Sequence, residues 1–322
     1  MSKRIQSSFR PAWWLQSPHL QTLWPVLFRP RPELNLQTER VELNDGDFID
    51  LAWHPLANAP LVMVIHGLEG SLQSHYAQTL LQALHNSGFS SVFMHLRGCS
   101  GTPNRLANSY HSGLTQDVAQ ILEHLKATKR MPDALVGFSL GGNLTLKYLG
   151  ETGAASGLQT AVAVSIPFQL EECACKLEQG FATVYGSYLL NNLKASYRRK
   201  FQRRPSPLEV EVKSLNTLYQ FDDQITAPLN GFTDAHDYYT RSSCGPYLIR
   251  IQTPTLIIHA KDDPFMYPST APTEEMLSDA ITLELTEQGG HVGFVGQRGL
   301  WHADYWLEKR IVEWLQHKLL LA

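Results

Sequence analysis

A chain of 322 residues is long enough to bury a large core, as one big α/β unit or two smaller ones. Hydrophobic content of 43% and charged content of 18% are ordinary for a globular protein, and a formal net charge of −3 gives no electrostatic case for a nucleic-acid partner. The four cysteines, Cys99, Cys173, Cys175 and Cys244, have neither zinc nor thioredoxin-like spacing and follow no secretory signal, so reduced thiols and a cytoplasmic location are expected.

Residues 1–37 read as an N-terminal aromatic arm. Trp13, Trp14, Leu20, Trp24, Leu27 and Phe28 are apolar, but Gln16, Pro18, His19, Gln21 and Pro25 interrupt them. The stretch is neither a signal-peptide core nor a membrane span. It reads as an arm packed on the domain, or as a greasy rim near a lipid-like substrate or membrane surface. Residues 41–54 read as two strands about an Asn44-Asp45-Gly46-Asp47 turn. Residues 61–67 and 91–98 are continuous apolar runs ending in Gly, the mark of strands buried on both faces. An amphipathic helix over 77–88 lies between them. A second helix is expected over 115–130, with Thr115 as its N-cap.

The stretch "DALVGFSLGGNLTLKYL" (133–149) places Ser139 between Gly137 and Gly141. With 22 glycines in the chain, Gly-x-Ser-x-Gly arises by chance often enough that context must decide. A nucleophile elbow needs a strand that stops abruptly, a strained turn carrying the Ser, and a helix that starts at once. Ala134–Val136 supply the strand, Asn143–Leu149 the helix, and Gly150 and Gly153 a stop. Further strands are expected over 160–167, 254–260 and 281–287, then a closing helix with Trp306, Ile311, Leu315 and Leu319 on one face and with His302 and His317 in the terminal helical segment. Strands alternating with helices mean a mainly parallel, doubly wound sheet with its chemistry at the carboxyl ends of the strands. The alternation stops between Pro167 and Pro254. Residues 168–250 therefore read as a helical lid inserted into one unit spanning 1–322. The basic run Arg198, Arg199, Lys200, Arg203 and Arg204 reads as a solvated helix end, with a docking patch for an anionic head group as the alternative.

A serine needs a base, and the base an orienting acid, in the chain order Ser, acid, His on such a sheet. Of thirteen histidines, His291 in "EQGGHVGF" stands directly after a strand behind two glycines. The acid belongs after the preceding strand, where "AKDDPF" offers Asp262 and Asp263. The spacing from Ala260 and the following Pro264 favour Asp263, with Asp262 facing outward or capping the turn. The backbone N–H groups of Leu140 and of Leu68, in "HGLEGS" at an earlier strand end, are the expected oxyanion donors.

With these residues in place, the chain resembles the α/β-hydrolases. More narrowly, it resembles the bacterial YheT-type esterases, with the plant EMB8-like proteins and animal abhydrolase-domain lipases as relatives. The resemblance rests on "PHLQTLWP" (18–25), "HGLEGS" (66–71), "RGCSG" (97–101), "YHSGLTQD" (110–117), "GFSLGGN" (137–143), "AKDDPF" (260–265) and "GGHVGF" (289–294), in that order. It implies a carboxylic-ester hydrolase with nucleophile Ser139, acid Asp263 and base His291. It further implies acyl esters as the substrate class, including monoacylglycerols and other lipids. Animal relatives add an N-terminal membrane anchor, and residues 1–37 do not read as one. The resemblance assigns no role to Arg97, Cys99, Tyr110, His111 or "HLQT". No metal or other cofactor is expected, and the partner is a small-molecule ester, with peripheral lipid contact as an open reading. Acyl transfer or thioester hydrolysis by the same triad, and a non-catalytic binding module on the same fold, are the competing readings.

Overall fold

The computed structural model describes residues 3–202 and 204–321. Its centre is a nine-stranded sheet in the order β1-β9-β8-β7-β6-β4-β5-β3-β2. The strands are β1 (Arg4–Gln6), β2 (Gln37–Glu42), β3 (Phe48–His54), β4 (Leu61–Ile65), β5 (Ser90–Met94), β6 (Ala134–Phe138), β7 (Thr160–Val164), β8 (Thr255–Ala260) and β9 (Ile281–Thr286). All neighbouring pairs are parallel except β2 with β3 and β3 with β5. The helices are α1 (Pro18–Phe28), α2 (Ala77–Asn86), α3 (Thr115–Ala127), α4 (Leu140–Thr152), α5 (Leu170–Lys176), α6 (Ala182–Phe201), α7 (Leu218–Phe221), α8 (Ala227–Leu229), α9 (Ala235–Ser242) and α10 (Trp306–Leu319).

The apolar runs are strands because helices cover both faces of the sheet. Along β4, Met63 and Ile65 enter one core with Val118, Ile121 and Leu125 of α3 and Leu144 of α4. The alternate residues Val62 and Val64 enter the other, with Leu80 and Leu84 of α2 and Ile311 and Leu315 of α10. This period of two, with every residue buried, is what a doubly covered strand requires.

The N-terminal residues are more than an arm. Arg4–Gln6 form the parallel edge strand β1 against β9, and buried Glu284 of β9 accepts from Ser7 and from Arg310 of α10. Pro18–Phe28 form a helix despite Pro25. His302 lies in strand β11 (His302–Tyr305), which pairs antiparallel with β10 (Val295–Arg298), and not in a helix. Two four-residue strands joined by Gly299, Leu300 and Trp301 are too short for their alternation to stand out from the helical tail that follows. Leu114, not Thr115, stands at the N-cap position of α3, with no side-chain cap; the Thr115 hydroxyl instead donates to Glu151 of α4 across the helix pair. The basic run is only partly solvated. Lys200 Nζ donates to the Ala107 and Asn108 carbonyls, and the Arg204 guanidinium to those of Arg105 and Leu106. These side chains clamp a loop whose carbonyls have no strand partner. Arg203 lies outside the described residues.

Between β7 and β8 the chain forms α5 to α9. Leu177, Tyr185, Leu190 and Phe221 pack together there, with Leu23 of α1 and Phe265 against them. The segment returns to the sheet through Asn143 of α4, whose side chain donates to Ser242 O and accepts from Cys244 N–H.

Candidate active site

Ser139 stands between β6 and α4 with φ 52° and ψ −117°. Left-handed backbone at a non-glycine residue is strained and persists only where surroundings enforce it. Here the Ser139 N–H donates to Val164 O at 2.8 Å, pinning the turn to β7. A Cβ on Gly137 would overlap the Gly141 carbonyl, and one on Gly141 would overlap the carbonyls of Ile65 and His66 at the end of β4. The two glycines therefore serve the close approach of helix to sheet, which the motif alone predicts.

The other expected residues arrive from separate strand ends. His291 Nε2 lies 3.1 Å from Ser139 Oγ, and His291 Nδ1 lies 2.8 Å from Asp263 Oδ2. With the ring proton on Nδ1, His291 donates to Asp263 and accepts from the Ser139 hydroxyl. Asp263 is buried, and its second oxygen accepts from Phe265 N–H at 2.9 Å. The Phe265 ring stacks on the imidazole, with centroids 3.9 Å apart and planes 6° apart. Asp262 turns away from the imidazole and accepts from Gly290 N–H at 2.9 Å, so it caps the loop that carries His291.

The loop bearing Leu68 passes close over Ser139: a Cβ on Gly67 would sit 3.1 Å from Ser139 Cβ. Buried His66 shapes that loop. Its Nε2 accepts from Leu96 N–H at 3.0 Å, so Nδ1 carries the proton and donates to Gly67 O at 2.7 Å. Burial pushes the His66 pKa down to about 3, which keeps this neutral arrangement. Tyr76 accepts from Gly67 N–H, and Tyr110 accepts from Glu69 N–H while donating to the Glu69 carboxylate. Leu68 and Leu140 line the same cavity as Ser139 and His291, of about 460 Å³.

Several supporting residues were not assigned from sequence. Thr22 of α1 accepts from His291 N–H at 2.9 Å. Gln21, also on α1, donates to Val295 O and accepts from Val295 N–H, just beyond the same loop. A Cβ on Gly293 would overlap the Gln21 carbonyl, so helix and loop are in direct backbone contact. "HLQT" is therefore the buttress of the His291 loop, and its appearance among the ordered motifs was the available signal. Arg97 is buried in a bidentate pair with Asp117 and a further pair with Asp45, which ties the loop after β5 to α3. His111 packs edge-on against Phe232 and Tyr238. Arg97, Cys99, Tyr110 and His111 all line a smaller cavity of about 70 Å³ that shares Leu68 and Leu140 with the larger one.

Comparison with known proteins gives the family. Residues 60–296 match the model of the alpha/beta hydrolase fold family. The chain is 46% identical over 317 residues to the protein named "Putative esterase YheT" of Escherichia coli (strain K12), covering 96% of this chain and 93% of that protein. It is 28% identical over 261 residues to a monoacylglycerol lipase of Saccharomyces cerevisiae, covering 76% of this chain and 57% of that protein. Among solved structures, the Pyrococcus furiosus esterase Pf2001 superposes with a TM-score of 0.57 at 15% identity, covering 90% of this chain and 99% of that one. No helix among the described residues is long and apolar enough to cross a membrane. The strained serine turn and the full-length match together place the chain in the α/β-hydrolase family, among its esterase- and lipase-like hydrolases.

Proposed function

We propose that the chain hydrolyses acyl esters of short or medium chain length, or monoacylglycerols, with Ser139 as nucleophile, His291 as general base and Asp263 as orienting acid. The observation that carries this reading is the continuous hydrogen-bonded path Ser139–His291–Asp263, at 3.1 and 2.8 Å, on a strained turn. Ser139 Oγ attacks the ester carbonyl as His291 Nε2 takes its proton. The backbone N–H groups of Leu68 and Leu140 stabilise the oxyanion, each such donor contributing about 3–4 kcal/mol to the barrier reduction. Collapse expels the alcohol, which receives the proton from His291. Water then attacks the acyl-enzyme, with His291 again as base, and the carboxylic acid leaves. No step calls for a cofactor.

The substrate class is supported by the cavity, whose walls include Leu23, Leu170, Leu177, Leu189 and Phe265. Apolar walls with a few convergent polar groups suit an acyl chain presented to a fixed reacting centre. The helical segment 168–250 serves as a lid, since α5, α6, α7 and α9 supply wall residues of the cavity that holds Ser139. Val26, Val184 and Tyr188 line its mouth and are exposed, with Leu27 and Phe28 beside them, which supports peripheral contact with a lipid surface.

The test is labelling with a fluorophosphonate probe and turnover of p-nitrophenyl esters of graded acyl length. Ser139→Ala should abolish labelling and lower turnover by roughly 10⁶-fold in a folded protein. Wild-type turnover in that variant would remove Ser139 from the mechanism.

A further inference from the structure

The two cavities meet at a shared wall of Leu68, Glu69, Leu140, Leu193, Asp222 and Tyr238. Of its two carboxylates, Glu69 and Asp222, Asp222 stands on the segment between β7 and β8. It begins a π-helical turn (Asp222–Thr226), closed by the Ala227 N–H donating to Asp222 O five residues back. Single π turns are uncommon and recur where a side chain must be aimed. One Asp222 oxygen accepts from Thr226 Oγ1 at 2.7 Å and the other from Tyr239 Oη at 2.7 Å.

Both of those donors are neutral. Among the described residues no ion pair reaches Asp222, whereas the other charged groups of the smaller cavity have partners of their own. Arg97 is held by Asp117 and Asp45, Lys200 by two carbonyls and Arg199 by Ser196, while Glu69, whose partners Tyr110 and Ser196 are neutral hydroxyls too, has the Arg199 charge near it. A carboxylate withdrawn from water without a cation is costly to keep. Burial accordingly pushes the Asp222 pKa up to about 6. Each carboxylate oxygen accepts two hydrogen bonds, and each here accepts one from protein. Asp222 lines both the smaller cavity and the one that holds Ser139, where part of an ester must lie if Ser139 is the nucleophile. Arg97, Arg199 and Lys200 line the smaller cavity, so a cationic ligand is disfavoured and a neutral hydroxyl is the matching donor.

We propose that Asp222 is a specificity-determining residue that accepts a hydrogen bond from a free hydroxyl on the alcohol part of the ester, so that esters of polyols are preferred over esters of plain alkanols. This rests on the ester-hydrolase reading and adds to it the chemistry of the leaving alcohol. A hydrogen bond to a charged acceptor contributes about 1.5–3 kcal/mol, or roughly 10- to 100-fold in kcat/KM.

The experiment compares monooctanoylglycerol with propyl octanoate, which share an acyl chain and differ by two hydroxyls. The kcat/KM ratio is measured at pH 8 for the wild type, Asp222→Asn and Asp222→Ala. The wild-type ratio should favour the glycerol ester by roughly 10- to 100-fold, and both variants should bring it close to one. Asp222→Asn keeps the shape and an acceptor for Thr226, so it decides the matter alone if Asp222→Ala does not fold. A wild-type ratio near one, or a ratio that survives both substitutions, overturns the proposal; a merely structural role slows both esters equally and leaves the ratio in place. A wild type that cleaves neither ester and takes no fluorophosphonate label instead overturns the ester-hydrolase reading itself.

Discussion

Asp263 reaches His291 with one carboxylate oxygen and Phe265 N–H with the other, whereas Asp262 turns away to hold Gly290 N–H. In the proposed mechanism Asp263 fixes the imidazole tautomer and stabilises the imidazolium. Asp263→Asn reverses that hydrogen bond and should lower turnover by about 10⁴-fold. Asp262→Asn retains an oxygen for Gly290 and loses only a charge that burial already disfavours. Its effect should stay within about 1 kcal/mol of stability, with turnover nearly intact. Turnover of both purified variants checks this, and the reverse ranking would move the acid to Asp262. The spacing after Ala260 and before Pro264 favours Asp263, and Asp263 is the carboxylate that meets His291. Thr22 was not legible in the same way. Its partner, the His291 N–H, lies 269 residues away, and nothing in local periodicity names a partner at that distance.

At the scale of elements, legibility followed burial. The central strands β4, β6, β7 and β8 are buried at every residue and stood out as apolar runs. β1 is three exposed residues, and its pairing with β9 depends on a sheet edge that only the assembled fold supplies. β10 and β11 are four residues each, and only Val295 and Gly296 of the pair are buried, too little alternation to separate from a helix. The crossing of β4 and α4 gives a sharper test. Gly141 meets the backbone carbonyls of Ile65 and His66, which cannot rotate aside as a side chain can. Gly141→Ala should therefore destabilise by about 3 kcal/mol or more, at or above the usual cost of overpacking. Urea unfolding measures it, and a loss below about 1 kcal/mol would show that the helix shifts without strain. The same variant should reduce fluorophosphonate labelling, because any relief moves Ser139 relative to the loop carrying Leu68.

For the molecule as a whole, buried histidines set the response to acid. His66, His95 and His259 are all buried, and burial holds their pKa values down to about 3, 4 and 4, against 6.5 when exposed. Their contribution to stability is complete above about 6.5 and is lost as the pH falls, because the unfolded chain takes up protons that the folded chain refuses. Near pH 5 three such groups give a slope of about 4 kcal/mol per pH unit. Asp222 acts in the opposite sense. Its pKa is raised to about 6 from 3.8, so its penalty is present above pH 6 and fades as the pH falls towards 3.8. The histidines outnumber it, and stability should fall by several kcal/mol between pH 7 and pH 5 in urea titrations. A flat profile over that range would mean that the three imidazoles are hydrated or paired in solution. Asp222→Asn separates the two contributions. Removing a carboxylate that the fold holds at a cost should stabilise the protein at pH 7 by up to about 3 kcal/mol, with the gain vanishing near pH 4. A gain that persists unchanged to pH 4 would come from packing and not from charge. A residue kept at such a cost in stability is what a binding role for Asp222 predicts, since sites built for a ligand are commonly strained without it.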